Sequence, residues 1–162
     1  MIEFKKISEF PKGILYKELV DAYSFNEKCK ETWDNDWKEY DEFFFKNPEI
    51  ALKYAFITVV DGVPIGHISW DPRNKPEYVE IGHNCIITKY KGKGYGHIQL
   101  NEAIRRIKEY EGLKKIKVTT NELMVPAQRN YESVGFVKVG ERENKETRFS
   151  GKYIDYEMIL RS

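Results

Sequence analysis

Lys89 to Leu100 reads KYKGKGYGHIQL: glycines at 92, 94 and 96 are separated by Lys93 and Tyr95, and a helical pattern follows at once. Glycine at a helix start gives up chain entropy, so three in five residues mark backbone that must bend or lie close to something. A helix start also carries unpaired N–H groups and a partial positive charge. Together these features point to an anion, above all a phosphate, resting on the loop. Two familiar phosphate loops are excluded by spacing. A Walker loop ends in Lys-Ser or Lys-Thr, which Gly96-His97 does not supply. A dinucleotide loop is G-x-G-x-x-G within alternating strands and helices, whereas this loop is G-x-G-x-G and follows three successive strand patterns.

Outward from the loop, Tyr78–Thr88 reads as a long strand before it, and a helix is expected from about Gly96 to Tyr110, with Ile98, Ala103, Ile104 and Ile107 as its buried stripe. Upstream, Tyr54–Val60 and Val63–Trp70 flank Asp61-Gly62, a strong hairpin signal. Ile2–Ile7 alternates as a first strand, and Gly13–Tyr23 has helical spacing. Trp33, Trp37, Tyr40 and Phe44 share one face of a second helix that Asn47-Pro48 ends. Downstream come a strand at Lys114–Thr119, a short helix at Pro126–Val134, and strands at Phe136–Gly140 and Tyr153–Leu160, expected to be antiparallel around ERENKETRFSGK. The order β-α-α-β-β-β-α-β-α-β-β gives a mixed α/β (α+β) sheet with helices on its faces.

The 162 residues fit one domain, residues 1–162, without repeat or linker. Acids and bases balance to a net charge of +1, so no global field draws the chain to nucleic acid or a membrane surface. Cys29 and Cys85 have no metal-ligand spacing and are too few for a disulfide framework; both are expected reduced, and no metal is expected. MIEFKKISEF lacks the pattern of a signal peptide, and a cytoplasmic protein is the expectation.

The segment KGKGYG after a long strand resembles the acetyl-CoA loop of the GNAT superfamily of N-acetyltransferases, Gln/Arg-x-x-Gly-x-Gly/Ala. Downstream, Ala127 to Phe136 (AQRNYESVGF) resembles that family's second motif, A-x-x-x-Y-E-x-x-G-F, in the family's order and with a strand between the two. The resemblance implies a mostly antiparallel sheet of about six or seven strands flanked by about four helices, splayed at the strand before the loop. It implies acetyl-CoA as acyl donor, its pyrophosphate cradled by backbone N–H groups of Lys91, Gly92, Lys93, Gly94, Tyr95, Gly96 and His97. The pantetheine arm would then lie along Asn84, Cys85, Ile86 and Ile87, with Ala127 of the second motif also at the cofactor. Two positions depart from the family. Lys91 stands where Gln or Arg is usual, and keeps a point charge without the guanidinium fork. Met124 stands where the second motif often begins with Asn, leaving Asn121 as the substitute.

Acetyl transfer to an amine needs a neutral amine and a leaving thiolate. An alkylammonium with a pKa of about 10.4 is almost wholly charged at pH 7. A positioned base is worth about 10²–10⁴ in rate. Glu80, His83 and His67 are the candidates on the central strands; Glu80 matches the general-base glutamate of the family's histone-acetyltransferase branch. Strand alternation sets Glu80 and His83 on opposite faces unless a bulge intervenes. Tyr131 resembles the family's general acid, and backbone N–H groups of the splayed strand would hold the oxyanion. Asp34, Asp36, Glu39, Asp41 and Glu42 beside Trp33, Trp37 and Phe43 would suit a cationic amine, although the spacing fits a core face with a wet acidic side better. The expected function is acetyl transfer to a primary amine of a small molecule or peptide. The alternative is a catalytically silent acyl-CoA-binding sensor or partner module. Exposed aromatics are compatible with a homodimer.

Overall fold

The computed structural model describes residues 1–145 and 151–161. Residues 146–150, within the expected turn between the last two strands, lie outside the described residues. Among those described, seven strands form one sheet: β1 Ile2–Lys5, β2 Ala55–Val60, β3 Val63–Asp71, β4 Val79–Ile86, β5 Lys115–Asn121, β6 Val137–Arg142 and β7 Tyr153–Ile159, in the order β1-β2-β3-β4-β5-β7-β6. Only β4 and β5 pair in parallel, because a helix, α4 (Tyr95–Ile107), crosses between them.

The remaining α-helices are α1 (Ile14–Ala22), α2 (Glu27–Lys46), α3 (Pro48–Tyr54) and α5 (Val125–Ser133), five in all among the described residues against about four expected. The additional one is α3. Pro48 does end α2, but proline also suits a helix's first turn, so the chain restarts as a helix and β2 begins only at Ala55. α2 begins at Glu27, six residues before the aromatic periodicity, because the Asn26 side chain accepts from the Lys28 N–H and caps it.

α4 lays Leu100, Ala103, Ile104 and Ile107 on Phe56, Ile68, Trp70, Val79, Ile81, Ile116 and Val118, with Tyr131 of α5 in the same core. The opposite face of β2–β4 is covered by α1, α2 and α3 through Leu15, Leu19, Trp37, Phe44 and Ala51. The stripe of α4 differs from the expected one at its start: Ile98 is exposed, and Gln99 and Leu100 point inward.

One acidic side chain joins the helices of that second layer. Asp41 of α2 is 4% exposed and accepts from the N–H groups of Gly13 (2.9 Å), Leu15 (3.0 Å) and Tyr16 (3.3 Å). It does for α1 what the N-cap residue, Gly13, has no side chain to do. Replacing it by alanine strands buried donors, so Asp41→Ala is expected to lower unfolding stability by about 2–4 kcal/mol in urea denaturation. An Asp41→Ala chain as stable as wild type would refute the cap.

Candidate active site

The glycine loop has the shape its composition predicts. Gly92 and Gly94 have φ of 75° and 87°, left-handed values that side chains rarely adopt, and a β-carbon at either would meet nothing within 4 Å. No side chain caps α4 at Gly94, which leaves its first N–H groups for water or a ligand. Gly96 is less demanding: its φ is ordinary, and an added β-carbon would touch Asn130 at 3.5 Å and Ile86 at 3.7 Å. Open, donor-rich backbone of this kind fits a pyrophosphate.

The lysines divide. Lys93 is exposed, its ammonium 5.7 Å from the Tyr90 ring centre, while Tyr95 packs its ring near Tyr90. Lys91 turns the other way: its ammonium donates to the Ala22 carbonyl at the end of α1 and lies 4.9 Å from the Phe25 ring centre. Burial holds the pKa of Lys91 below the ordinary lysine value. The Thr88 N–H, just before the loop, donates to Asp21, again on α1 (2.7 Å). His97 meets the Ser133 hydroxyl at 3.1 Å and so links α4 to α5.

Beside the loop the sheet parts. β4 and β5 pair only at Val79–Ile116, Glu80–Lys117 and Ile81–Val118; β4 then stays with β3 and β5 with β7. The residues expected along a pantetheine arm, Asn84, Cys85 and Ile86 with Ile87 after them, follow this point. A bulge lies in the same stretch. Ile68 pairs with Asn84 but Trp70 with Ile81, so β4 holds one extra residue between Ile81 and Asn84. Alternation slips there: Val79, Ile81 and Asn84 face α4, while His83 meets Tyr40 of α2 (ring centres 4.1 Å apart) and Cys85 packs beneath α1 and α2. Glu80 and His83 therefore share the α1–α2 face, and the bulge overrides simple alternation.

Glu80 is exposed, its neighbours across the strands being Asp71 and Lys117. His83 is held neutral: burial, then the charge of His67, pushes its pKa down to about 4, which makes it a weak base. His67 is fully buried and engaged, with Nδ1 2.8 Å from Glu18 and 3.5 Å from the Cys85 sulfur. Burial alone would lower its pKa; Cys85 and the Glu18 ion pair outweigh this and raise it to about 10.

On the α4 side lies Tyr131, 5% exposed and wedged against Phe136 and Tyr156. Its hydroxyl accepts from Asn84 Nδ2 at 3.3 Å. Burial raises its pKa above the ordinary phenol value, with the Asn84 bond pulling the other way. Behind Asn84 stands Gln99, a residue that sequence reasoning missed. Fully buried on α4, it donates through Nε2 to the carbonyls of His67 (2.9 Å) and Cys85 (3.1 Å) and to Asn84 Oδ1 (2.8 Å). Its spacing from Ala103 and Ile107 was the available signal, since it places an amide on the apolar stripe.

Two further expected cofactor residues lie on and before α5. Ala127 packs against the α4-side core. Asn121 donates to the Gly151 carbonyl (3.1 Å) and accepts from the Leu123 N–H (2.9 Å), so its amide closes the turn after β5. The acids of α2 form its wet face and the cap on α1: Asp34 pairs with Lys38 and Glu42 with Lys46. A groove of about 530 Å³ between α1 and α2, lined by Val20, Tyr23, Glu27, Lys30, Glu31 and Asp34 among others, borders neither Glu80 nor Tyr131.

The profile of the Acetyltransferase (GNAT) family matches residues 14–136, and the chain belongs to that family. Among curated protein sequences none matches it. Solved structures share its fold at low identity. A Desulfovibrio desulfuricans protein assigned to the GNAT acetyltransferases superposes with TM-score 0.76 at 15% identity, covering 98% of this chain and 99% of its own. The yncA protein of Salmonella typhimurium, solved with acetyl-CoA, gives 0.73 at 16%, covering 100% and 94%. The ribosomal-protein-S18-alanine N-acetyltransferase of Escherichia coli gives 0.71 at 16%, covering 100% and 94%.

The Glu18–His67 pair has a pH signature. A pKa raised to about 10 from the ordinary 6.5, by Cys85 first and then Glu18, means that the stability charged His67 contributes is complete below about pH 6.5 and lost as pH climbs towards 10. Thermal unfolding of wild type is expected to weaken over that window more steeply than that of His67→Gln. Parallel profiles for the two would count against a charged His67.

Proposed function

We propose that this chain transfers an acetyl group from acetyl-CoA to a primary amine of a small molecule or peptide by direct attack on the thioester. The observation that carries the reading is the gap between β4 and β5, with Tyr131 and Asn84 on its α4 side and Glu80 on the other. Acid and base on opposite faces suit a reaction in which one group enters as another leaves. Bound acetyl-CoA supplies the activated acetyl thioester. The backbone from Lys91 to His97 would hold its pyrophosphate and Asn84–Ile87 its pantetheine arm; acetyl-CoA bound to yncA supports this donor.

Glu80 takes the proton of the incoming amine, directly or through water; exposure leaves it open to a solvated acceptor. The low basicity of neutral His83 and the engagement of His67 with Glu18 favour Glu80 for this role. Tyr131 gives its proton to the departing sulfur. Backbone N–H groups of the splayed strand would stabilise the oxyanion. The Escherichia coli neighbour, which acts on an alanine of a ribosomal protein, keeps a peptide amine among the acceptors beside small amines.

Calorimetry with acetyl-CoA, followed by thiol release over a panel of amines and peptides, tests the reading. Gly94→Asp is expected to abolish binding, since it puts a negative, strained side chain where phosphate would lie. Tyr131→Phe and Glu80→Gln are expected to leave binding intact and slow thiol release by about 10²-fold each. Tight binding without turnover on any amine would favour the silent acyl-CoA-binding module; absence of binding would overturn both.

A further inference from the structure

We infer that Gln99 and Asn84 are positioning residues that aim the Tyr131 hydroxyl proton into the gap between β4 and β5. The inference rests on the reading of Tyr131 as the proton donor, and its own basis is a chain of hydrogen bonds whose direction is fixed from one end.

Gln99 Nε2 lies within hydrogen-bond distance of two backbone carbonyls, those of His67 and Cys85, which only accept. The amide nitrogen must therefore face them. Thr58, itself fully buried, donates its hydroxyl to Gln99 Oε1 at 2.7 Å and fixes the other end. Gln99 Nε2 also meets Asn84 Oδ1 at 2.8 Å, so Asn84 presents oxygen to α4 and nitrogen to Tyr131. An amide nitrogen has no lone pair to offer. The Tyr131 oxygen is thus the acceptor at 3.3 Å, and its own proton is turned away from Asn84. A phenol that donated to its support would have nothing to give a leaving group. This arrangement keeps the proton available and loads the oxygen with a donor that makes the phenol more acidic.

The decisive variant keeps the shape and reverses the polarity. In Asn84→Asp a carboxylate still accepts from Gln99 but also accepts from Tyr131, and draws the proton out of the gap. Asn84→Leu removes both bonds without capturing the proton. The first readout needs no acceptor amine: titration by NMR of protein-bound CoA labelled at the carbon next to sulfur. In wild type the bound thiol is expected to ionise below its ordinary pKa of about 8.5. Asn84→Asp is expected to raise that value by about one pH unit, and Asn84→Leu, which loses the support without capturing the proton, by clearly less. Because the added carboxylate also repels a thiolate, the same change is made in Tyr131→Phe, where no proton can be captured: Asn84→Asp is expected to raise the bound thiol pKa clearly less there than beside Tyr131, whereas a merely structural role predicts equal rises. The second readout is the Asn84 side-chain amide signal in the ligand-free protein, which should move on Tyr131→Phe and stay protected in wild type.

If Tyr131→Phe raises the bound thiol pKa and Asn84→Asp does not, the positioning is overturned while the donor role stands. If Tyr131→Phe leaves the thiol unchanged, the donor role itself fails and the positioning with it. Should Asn84→Asp not fold, an Asn84 amide signal that ignores Tyr131→Phe, or an Asn84→Leu thiol pKa raised by a unit or more, still overturns the proposal.

Discussion

Past Ile81 and Val118 the backbones of β4 and β5 no longer bond to each other, and a sheet that opens in its middle exposes polar groups that must find partners elsewhere. Beside that opening, on the β3–β4 side, one extra residue re-aims β4, and one buried amide donates to the carbonyls of His67 on β3 and Cys85 on β4. The rest of the site is built on this solution. Asn84 faces α4 because the bulge shifts its phase, and it reaches Tyr131 because α5 packs its tyrosine against the same core. The same shift sends His83 and Cys85 to the α1–α2 layer and leaves Glu80 on that side, in the open.

Much of this was legible along the chain because it is local. The left-handed backbone at Gly92 and Gly94 needs glycine, and the hairpin at Asp61-Gly62 needs a short polar turn, so both leave residues that can be read directly. The aromatic stripe of α2 repeats with helical period, and Trp37 and Phe44 are buried as that period requires. Tyr131 was found through the motif around it rather than through any periodicity.

What escaped is tertiary. Nothing beside Gly82 and His83 announces a bulge, since the extra residue exists only relative to β3. Gln99 reads as a polar interruption in an apolar stripe until the carbonyls above it are known. Asp41 looks like one more surface acid on α2, yet it closes the start of α1 from 26 residues away. Lys91 carries the charge a phosphate would want, and spends its ammonium on the last carbonyl of α1 instead. In each case the residue type was visible and its partner was not.

That last contact has a mechanical side. α1 is pinned at its start by Asp41 and at its end by Lys91 and Thr88, the latter two belonging to the stretch that leads into the glycine loop. The helix behaves as a strut between α2 and the loop. Through it, α2 and the residues that lead into the glycine loop are held by one hydrogen-bonded rod.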